Sequence, residues 1–352
     1  EISPGPAVPP VESLRKMLPP EHLWPIDDVW SYHAGGGQFR TLKVFTAAMN
    51  ARYGEAKGLE DYAAKSQLMT YEGQRAMFEA YARNKYASTG VIQWMLNNAW
   101  PSLIWHLYDY YLRPGGGYFG TKKACEPVHV QYSYDDGSVV AVNNTRQPRV
   151  GLRLTAKVFD LDMTQKLSET ADIDLPADAN VRAFTVPKPD RVTPTYFLRL
   201  TLEAKDGTLV SSNFYWLSTK EDVLDWGKST WYYTPTQVFA DYTQLQSLPP
   251  ATLKASGRAV RRGDQEVARV TLENPSRSLA FFVRLQIQRG RGGEEVLPVL
   301  WEDNYVSLLP GERRELTATY RVKDSGGAPT SLAVGGWNVP AKHYALRRSL
   351  RR

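Results

Sequence analysis

The chain has 352 residues and a formal net charge of +6, with 42% hydrophobic and 12% aromatic residues, which is enough for two or three domains with substantial cores. Arg347, Arg348, Arg351 and Arg352 supply four of those charges, so the rest carries a weak field that argues against a nucleic-acid partner, and residues 346–352 read as a solvated basic tail. The single cysteine, Cys125, excludes an internal disulfide and a cysteine-based zinc site, the five histidines show no metal spacing, and no apolar run is long enough to span a bilayer.

Along the chain, Gln38 to Gly54 places Leu42, Phe45 and Met49 on one helical stripe and closes at a glycine. Leu59 to Lys85 reads as a second, long helix with Leu59, Tyr62, Ala63, Tyr71, Phe78 and Tyr81 available for packing. Its carboxylates Glu60, Asp61, Glu72 and Glu79 read as solvated surface charge.

Val91 to Leu96 is a short, nearly unbroken apolar run behind a Ser-Thr-Gly turn, the pattern of a parallel strand covered on both faces. Its exit offers Trp94, Asn97, Asn98 and Trp100: an indole face can stack on a pyranose ring and an amide can bond hydroxyls. Tryptophans that merely fill a core are the competing reading, and the sugar-binding reading is preferred. Ser102 to Leu112 reads as a further helix, stopped by Arg113, Pro114 and the glycines 115–117. Helices around one buried strand describe the end of an α/β domain, with ligand groups at the strand's carboxyl end.

From Glu126 the period changes to two. Val128 to Tyr134 alternates toward a turn at Asp135-Asp136-Gly137, and Ser138 to Val142 returns, a hairpin signal. Further strands are expected at 150–160, 181–187, 196–205 and 209–218, giving an antiparallel sandwich over 127–220. An aromatic connector over 221–250 leads to a second sandwich over 251–345, with strands at 251–260, 266–274, 280–288, 305–309, 313–322 and 334–339. The aromatic cluster Trp226, Trp231, Tyr232 and Tyr233 could stack on glycans, and the reading preferred is that it seals a domain interface.

Several segments resemble glycoside hydrolase family 2, and within it exo-β-D-glucosaminidases above all, with β-mannosidases and endo-β-mannosidases next. They are Glu1 to Pro9, Val11 to Met17, Tyr32-His33, Trp94 to Trp100, Tyr118 to Ala124, Glu126 to Tyr132, Phe214 to Lys220, Trp231 to Pro235 and Leu297 to Asn304. The resemblance covers nearly the whole chain. It implies a fold of class α/β plus all-β: residues 1–126 as the C-terminal part of a (β/α)8 barrel, followed by two immunoglobulin-like β-sandwich domains. It also implies that the rest of the barrel and two earlier domains precede residue 1 and are this chain's partners within one protein.

On that resemblance Glu1 corresponds to the catalytic nucleophile at the end of the seventh barrel strand, and Trp94 to the tryptophan at the end of the eighth, beneath the sugar next to the cleaved bond. Asn97 follows as a hydroxyl partner, Trp100 as rim, and His33 as a hydroxyl partner near the site. A retaining glycosidase also needs a general acid roughly 5 Å from the nucleophile, and the family's acid/base lies on an earlier strand. The chain alone is therefore expected to be inactive, and the complete protein to act on oligosaccharides without cofactor or metal. The loop Ala34-Gly35-Gly36-Gly37 departs from the serine-rich run of glucosaminidases, leaving mannoside open as the substrate, while Asp27 and Asp28 are carboxylates that a glucosamine ammonium would suit. Extracellular or periplasmic location is the expectation from substrate class. The alternative of another kind is a noncatalytic carbohydrate-binding sandwich protein; against it, helices around one strand cannot bury their apolar stripes alone.

Overall fold

A computed structural model describes residues 8–35, 39–103, 105–231 and 233–349. By internal contacts the chain divides into two units, residues 1–110 with 114–247, and residues 111–113 with 248–352. Among the described residues, no helix is long and apolar enough to cross a membrane.

The first unit opens with five helices: α1 (Val11–Met17), α2 (Asp28–His33), α3 (Lys43–Tyr53), α4 (Leu59–Arg83) and α5 (Gly116–Ala124). Asp27 caps α2, its side chain accepting from the Val29 and Trp30 amides at 3.0 and 3.4 Å. Leu42, Phe45 and Met49 are buried as their stripe requires. Gly54 ends α3 at φ +80°, a conformation that L side chains rarely adopt. The ammonium of Lys65, fully buried on α4, bonds the Gly54 and Glu55 carbonyls and Asp61 at 2.9, 3.0 and 2.9 Å, so α3 ends on a cation.

Helix α4 buries Leu59, Tyr62, Ala63 and Tyr71, whereas Phe78 is half-buried and Tyr81 is 40% exposed. The glycine run expected to stop a helix instead begins one. A Cβ on Gly116 would lie 2.3 Å from the Gln67 carbonyl oxygen, and one on Gly120 2.2 Å from that of Tyr71. These glycines, one turn apart on α5, let its backbone rest on that of α4. The helix expected over 102–112 is absent; that stretch is irregular, and Leu103 and Leu107 are buried without helical pairing.

The strand expected at 91–96 is likewise not formed. The segment forms no strand ladder; among the described residues its backbone–backbone bonds run only from Met95 and Leu96 to residues 105–108, and Ile92 is 93% and Leu96 59% exposed. Its apolar run implied two neighbours, and no strand among the described residues lies beside it.

The sandwich of this unit packs the sheet β1 (Val128–Tyr132), β2 (Ser138–Asn143) and β5 (Ala179–Thr185), ordered β1-β2-β5, on a sheet ordered β4-β3-β6-β7. The strands of the second sheet are β3 (Arg149–Phe159), β4 (Gln165–Leu175), β6 (Thr195–Glu203) and β7 (Leu209–Ser218). Val130, Val139, Ala141, Leu154, Val158, Leu198, Leu200 and Leu217 fill the space between them. The β1–β2 turn closes at Gly137, φ +66°, where the Asp136 carboxylate accepts from the Ser138 amide at 2.9 Å. Strand β4 is an edge whose alternation, Leu167, Ala171, Ile173 and Leu175, is broken by Glu169 and interleaved with exposed polar residues, which weakens its signal in the sequence. A short pair, β8 (Val223–Leu224) and β9 (Thr236–Val238), lies in the connector.

The second unit is one sheet folded on itself, ordered β13-β15-β11-β10-β17-β16-β12-β14. Its strands are β10 (Lys254–Arg262), β11 (Gln265–Glu273), β12 (Ala280–Arg289), β13 (Leu300–Trp301), β14 (Val306–Leu308), β15 (Arg313–Arg321), β16 (Thr330–Gly335) and β17 (Lys342–Ser349). Val270, Leu272, Phe281, Ile287, Leu316 and Leu332 form its core. Residues 346–349, expected in a basic tail, belong to β17, which pairs parallel with β10 and antiparallel with β16. The last core strand falls at Thr330–Gly335 rather than 334–339, because Gly336 turns back to the Val339 carbonyl.

Gly120→Ala is expected to lower unfolding free energy in urea by about 1–3 kcal/mol, since the Tyr71 carbonyl it meets is backbone and cannot rotate away. An unchanged midpoint would show that α5 does not rest on α4 as described.

Candidate carbohydrate site and the buried carboxylates behind it

Helix α2 ends at His33, whose backbone carbonyl accepts from the Leu103 amide at 2.7 Å and whose Nδ1 lies 2.7 Å from the Pro101 carbonyl. The ring therefore carries a proton on Nδ1, facing that oxygen, and leaves Nε2 without that contact. Trp100 stacks on the His33 ring at 5.4 Å and 28°. Tyr32 meets Trp100 edge-on at 5.7 Å and His33 at 5.4 Å. Tyr32 and Trp100 are exposed, and with Ser31, Gly35 and Arg40 they line an open depression of about 570 Å³. Sequence reasoning had not placed Tyr32 or Arg40 at the site; Tyr32's position beside His33 at a helix end was the available signal.

Two of the expected residues are thus brought together, His33 and Trp100. Trp94 lies on the extended segment, 71% exposed and joined to Met95 by a cis peptide, and shares no ring contact with that cluster. The segment is held from behind: the Met95 amide donates to the Trp105 carbonyl at 2.9 Å, and Gln93 Nε2 reaches the same oxygen at 3.0 Å. Asn97 is exposed and bridges to Tyr108. Its neighbour Asn98 turns inward, donating to the Ser102 carbonyl at 3.0 Å and to His106 Nδ1 at 2.8 Å. Burial pushes the His106 pKa down to about 3, so this imidazole is neutral and accepts the amide proton. Glu1 lies outside the described residues.

Asp27 is not free to meet an ammonium. Besides capping α2, it bonds His22 Nδ1 at 2.6 Å, and this contact holds its carboxyl below the usual range. Asp28, next to it, is exposed.

Glu72 and Glu79, expected on a solvated helix face, are buried. Glu72 accepts from the Tyr53 and Tyr242 hydroxyls at 3.0 and 2.8 Å, and burial raises its carboxyl above the usual range. Glu79 accepts from Asn213 at 2.8 Å and from the Tyr215 hydroxyl at 2.9 Å, and faces His129 Nε2 at 2.9 Å. His129 Nδ1 in turn lies 3.2 Å from Glu126 Oε2. These carboxylates are enclosed by protein partners, so neither supplies a second catalytic acid in an open cleft. Their burial was hidden in the sequence because the groups that cover them come from strands and loops far along the chain.

The fold is that of a multidomain chain with immunoglobulin-like β-sandwiches, and Tyr32 and Trp100 form an exposed aromatic wall at the end of α2. Residues 136–220 match the family model "Mannosidase Ig/CBM-like domain" and residues 231–339 the model "Exo-beta-D-glucosaminidase Ig-fold domain". An exo-β-D-glucosaminidase of Streptomyces avermitilis is 43% identical over 96% of this chain, which spans 39% of that relative. A crystal structure of an exo-chitosanase of Amycolatopsis orientalis superposes with a TM-score of 0.92 at 39% identity, covering 97% of this chain and 42% of that one. A mannosylglycoprotein endo-β-mannosidase of Lilium longiflorum is 24% identical over 96% of the chain, which spans 41% of it. The chain is a homologue of exo-β-D-glucosaminidases, with mannosidases next, and the resemblance to glycoside hydrolase family 2 stands on that homology. It spans less than half the length of these relatives.

His129 gives a test of the buried network. Burial alone would lower its pKa, yet its bonds to Glu126 and Glu79 outweigh burial and raise it. A histidine raised in the folded state adds stability that is complete below about 6.5 and is lost as pH climbs through the folded value. Thermal midpoints are therefore expected to fall as pH rises above about 6.5, and the decline should flatten in His129→Gln. An equal decline in the variant would remove His129 as its source.

Proposed function

We propose that the complete protein is a retaining exo-β-D-glucosaminidase acting on chitosan-type oligosaccharides, and that residues 1–126 form part of its catalytic (β/α)8 barrel. The observation that carries this reading is the likeness to exo-β-D-glucosaminidases along nearly the whole chain, at 43% identity to one of them.

In this reading Glu1 attacks the anomeric carbon, and a glycosyl–enzyme ester forms as the leaving oxygen takes a proton from an acid/base carboxyl located in sequence outside this chain. Water then hydrolyses the ester, with that second group as base. Trp94 is the floor on which the pyranose stacks; its 71% exposure leaves an indole face available. Asn97 bonds a hydroxyl. Trp100 and His33 form the rim, and His33 offers the Nε2 that the Pro101 contact leaves free. The sandwich over 127–220 supports the barrel; the connector 221–250 leads from it to the sandwich over 251–345. Export follows as a proposal from the polymeric substrate. A second reading, β-mannoside as substrate, is supported by the engagement of Asp27 with His22, which removes one carboxylate from ammonium recognition.

Hydrolysis of aryl β-glucosaminide and aryl β-mannoside by this chain, beside a protein extended upstream, tests the proposal. Activity only in the extended protein, with glucosaminide preferred, is the expected result; turnover by the chain alone would mean that both carboxylates lie within it. In the extended protein, Glu1→Gln should bind substrate and lose hydrolysis. Trp94→Ala should lower kcat/KM by about 10- to 100-fold with an unchanged thermal midpoint, and near-normal kcat/KM would remove it from the floor.

A further inference from the structure

The outer face of the second unit carries a row of like charges across three adjacent strands. Arg258 on β10 lies directly opposite Arg269 on β11 and opposite Arg347 on β17. Register partners point to the same face of a sheet, and like charges placed directly opposite are destabilising. All three arginines are exposed, and among the described residues none has an ion-pair or hydrogen-bond partner for its guanidinium. Nearby cations are treated differently: Lys254 pairs with Glu273 at 3.8 Å and Arg313 with Glu315 at 3.0 Å. Two carboxylates of this face are thus engaged by other cations, Glu302 accepts from Thr317 on the next strand, and none bonds a guanidinium of the row.

We propose that this row is a binding surface for a linear, carboxylate-bearing polysaccharide. Strands lie ~4.8 Å apart, so the three guanidinium groups have their origins spread over roughly 10 Å, a spacing suited to successive charges on an extended polymer. A guanidinium matches a carboxylate by paired N–H donors. One step along the same face, Ser256 lies opposite Thr271, and these hydroxyls suit sugar hydroxyls beside the charges. The row carries no aromatic side chain on which successive bases could stack, and its neighbours are hydroxyls, which favours a glycan over a single-stranded nucleic acid. The row belongs to the second unit and the depression at Tyr32 and Trp100 to the first, and its ligand has the opposite charge from a glucosamine polymer. The inference goes beyond the glycosidase reading and does not depend on turnover.

Affinity electrophoresis and calorimetry of the 352-residue chain with polygalacturonate test it, with neutral dextran, a duplex DNA oligonucleotide and phosphatidylserine vesicles as the other arms. Expected is binding to polygalacturonate that weakens with salt and weakens at least tenfold in Arg258→Ser/Arg269→Ser, with no retention by dextran. The variant's thermal midpoint should be unchanged or raised, since it relieves like-charge opposition. Failure of the parent chain to bind polygalacturonate, equal binding by the folded variant, or tighter binding of DNA or vesicles would each overturn the proposal. A lowered midpoint in the variant would assign the arginines to sheet stability instead and overturn it too.

Discussion

Placing a charged helix against a sandwich requires every buried charge on it to find partners, and the first unit depends on how α4 meets that demand. Arg75 is fully buried; its guanidinium donates to the Phe214 carbonyl at 2.6 Å and to Asn213 at 3.1 Å, and lies 4.0 Å over the ring of Tyr215. One turn on, Glu79 gathers Asn213, Tyr215 and His129. Removing one partner from such a set leaves an uncompensated charge, which is far costlier than losing a surface pair. The helix is thereby fixed in position and rotation against β1 and β7, more specifically than apolar contact would fix it.

The other helices take their places from α4. Lys65 ties the end of α3 to it, and Gly116 and Gly120 let α5 approach to backbone contact. Tyr62, on the same helix, meets the buried Trp30 ring edge-on at 5.7 Å, which seats α2. His33 and Tyr32 stand at the end of α2, so the aromatic wall on the surface is positioned by packing that reaches back to α4. The wall itself is open and built on a helix end and irregular chain, as sites intended to contact a ligand commonly are.

The fold was legible in the sequence where burial repeats with a simple period. The β1–β2 hairpin announced itself through alternation and the turn at Gly137, and the stripe Leu42, Phe45 and Met49 through helical spacing. Where burial is irregular the reading failed. Residues 91–96 look like a strand covered on both faces, yet they join no sheet and Trp94 is exposed. Strand β4 was missed because Glu169 interrupts its apolar alternation on a mostly exposed edge, and β17 because its arginines resemble a tail until their pairing with β10 is known. Of the candidate site, the residue types were readable, but the stacking of Trp100 on His33 and the inward turn of Asn98 were not, since each depends on backbone contacts to 101–103.

By itself the sequence determined the class of domains, the hairpins and helix stripes, and the resemblance that names a glycosidase family, because these rest on local periodicity and on runs of residues that stay together along the chain. Tertiary structure alone decided which carboxylates are enclosed, which aromatic rings meet, and which arginines face one another unpaired. Those outcomes depend on the dielectric and the neighbours that distant segments bring to a side chain. Glu79, read as solvated until His129, Asn213 and Tyr215 close around it, shows that the same residue type can be surface charge or structural anchor according to what the fold places beside it.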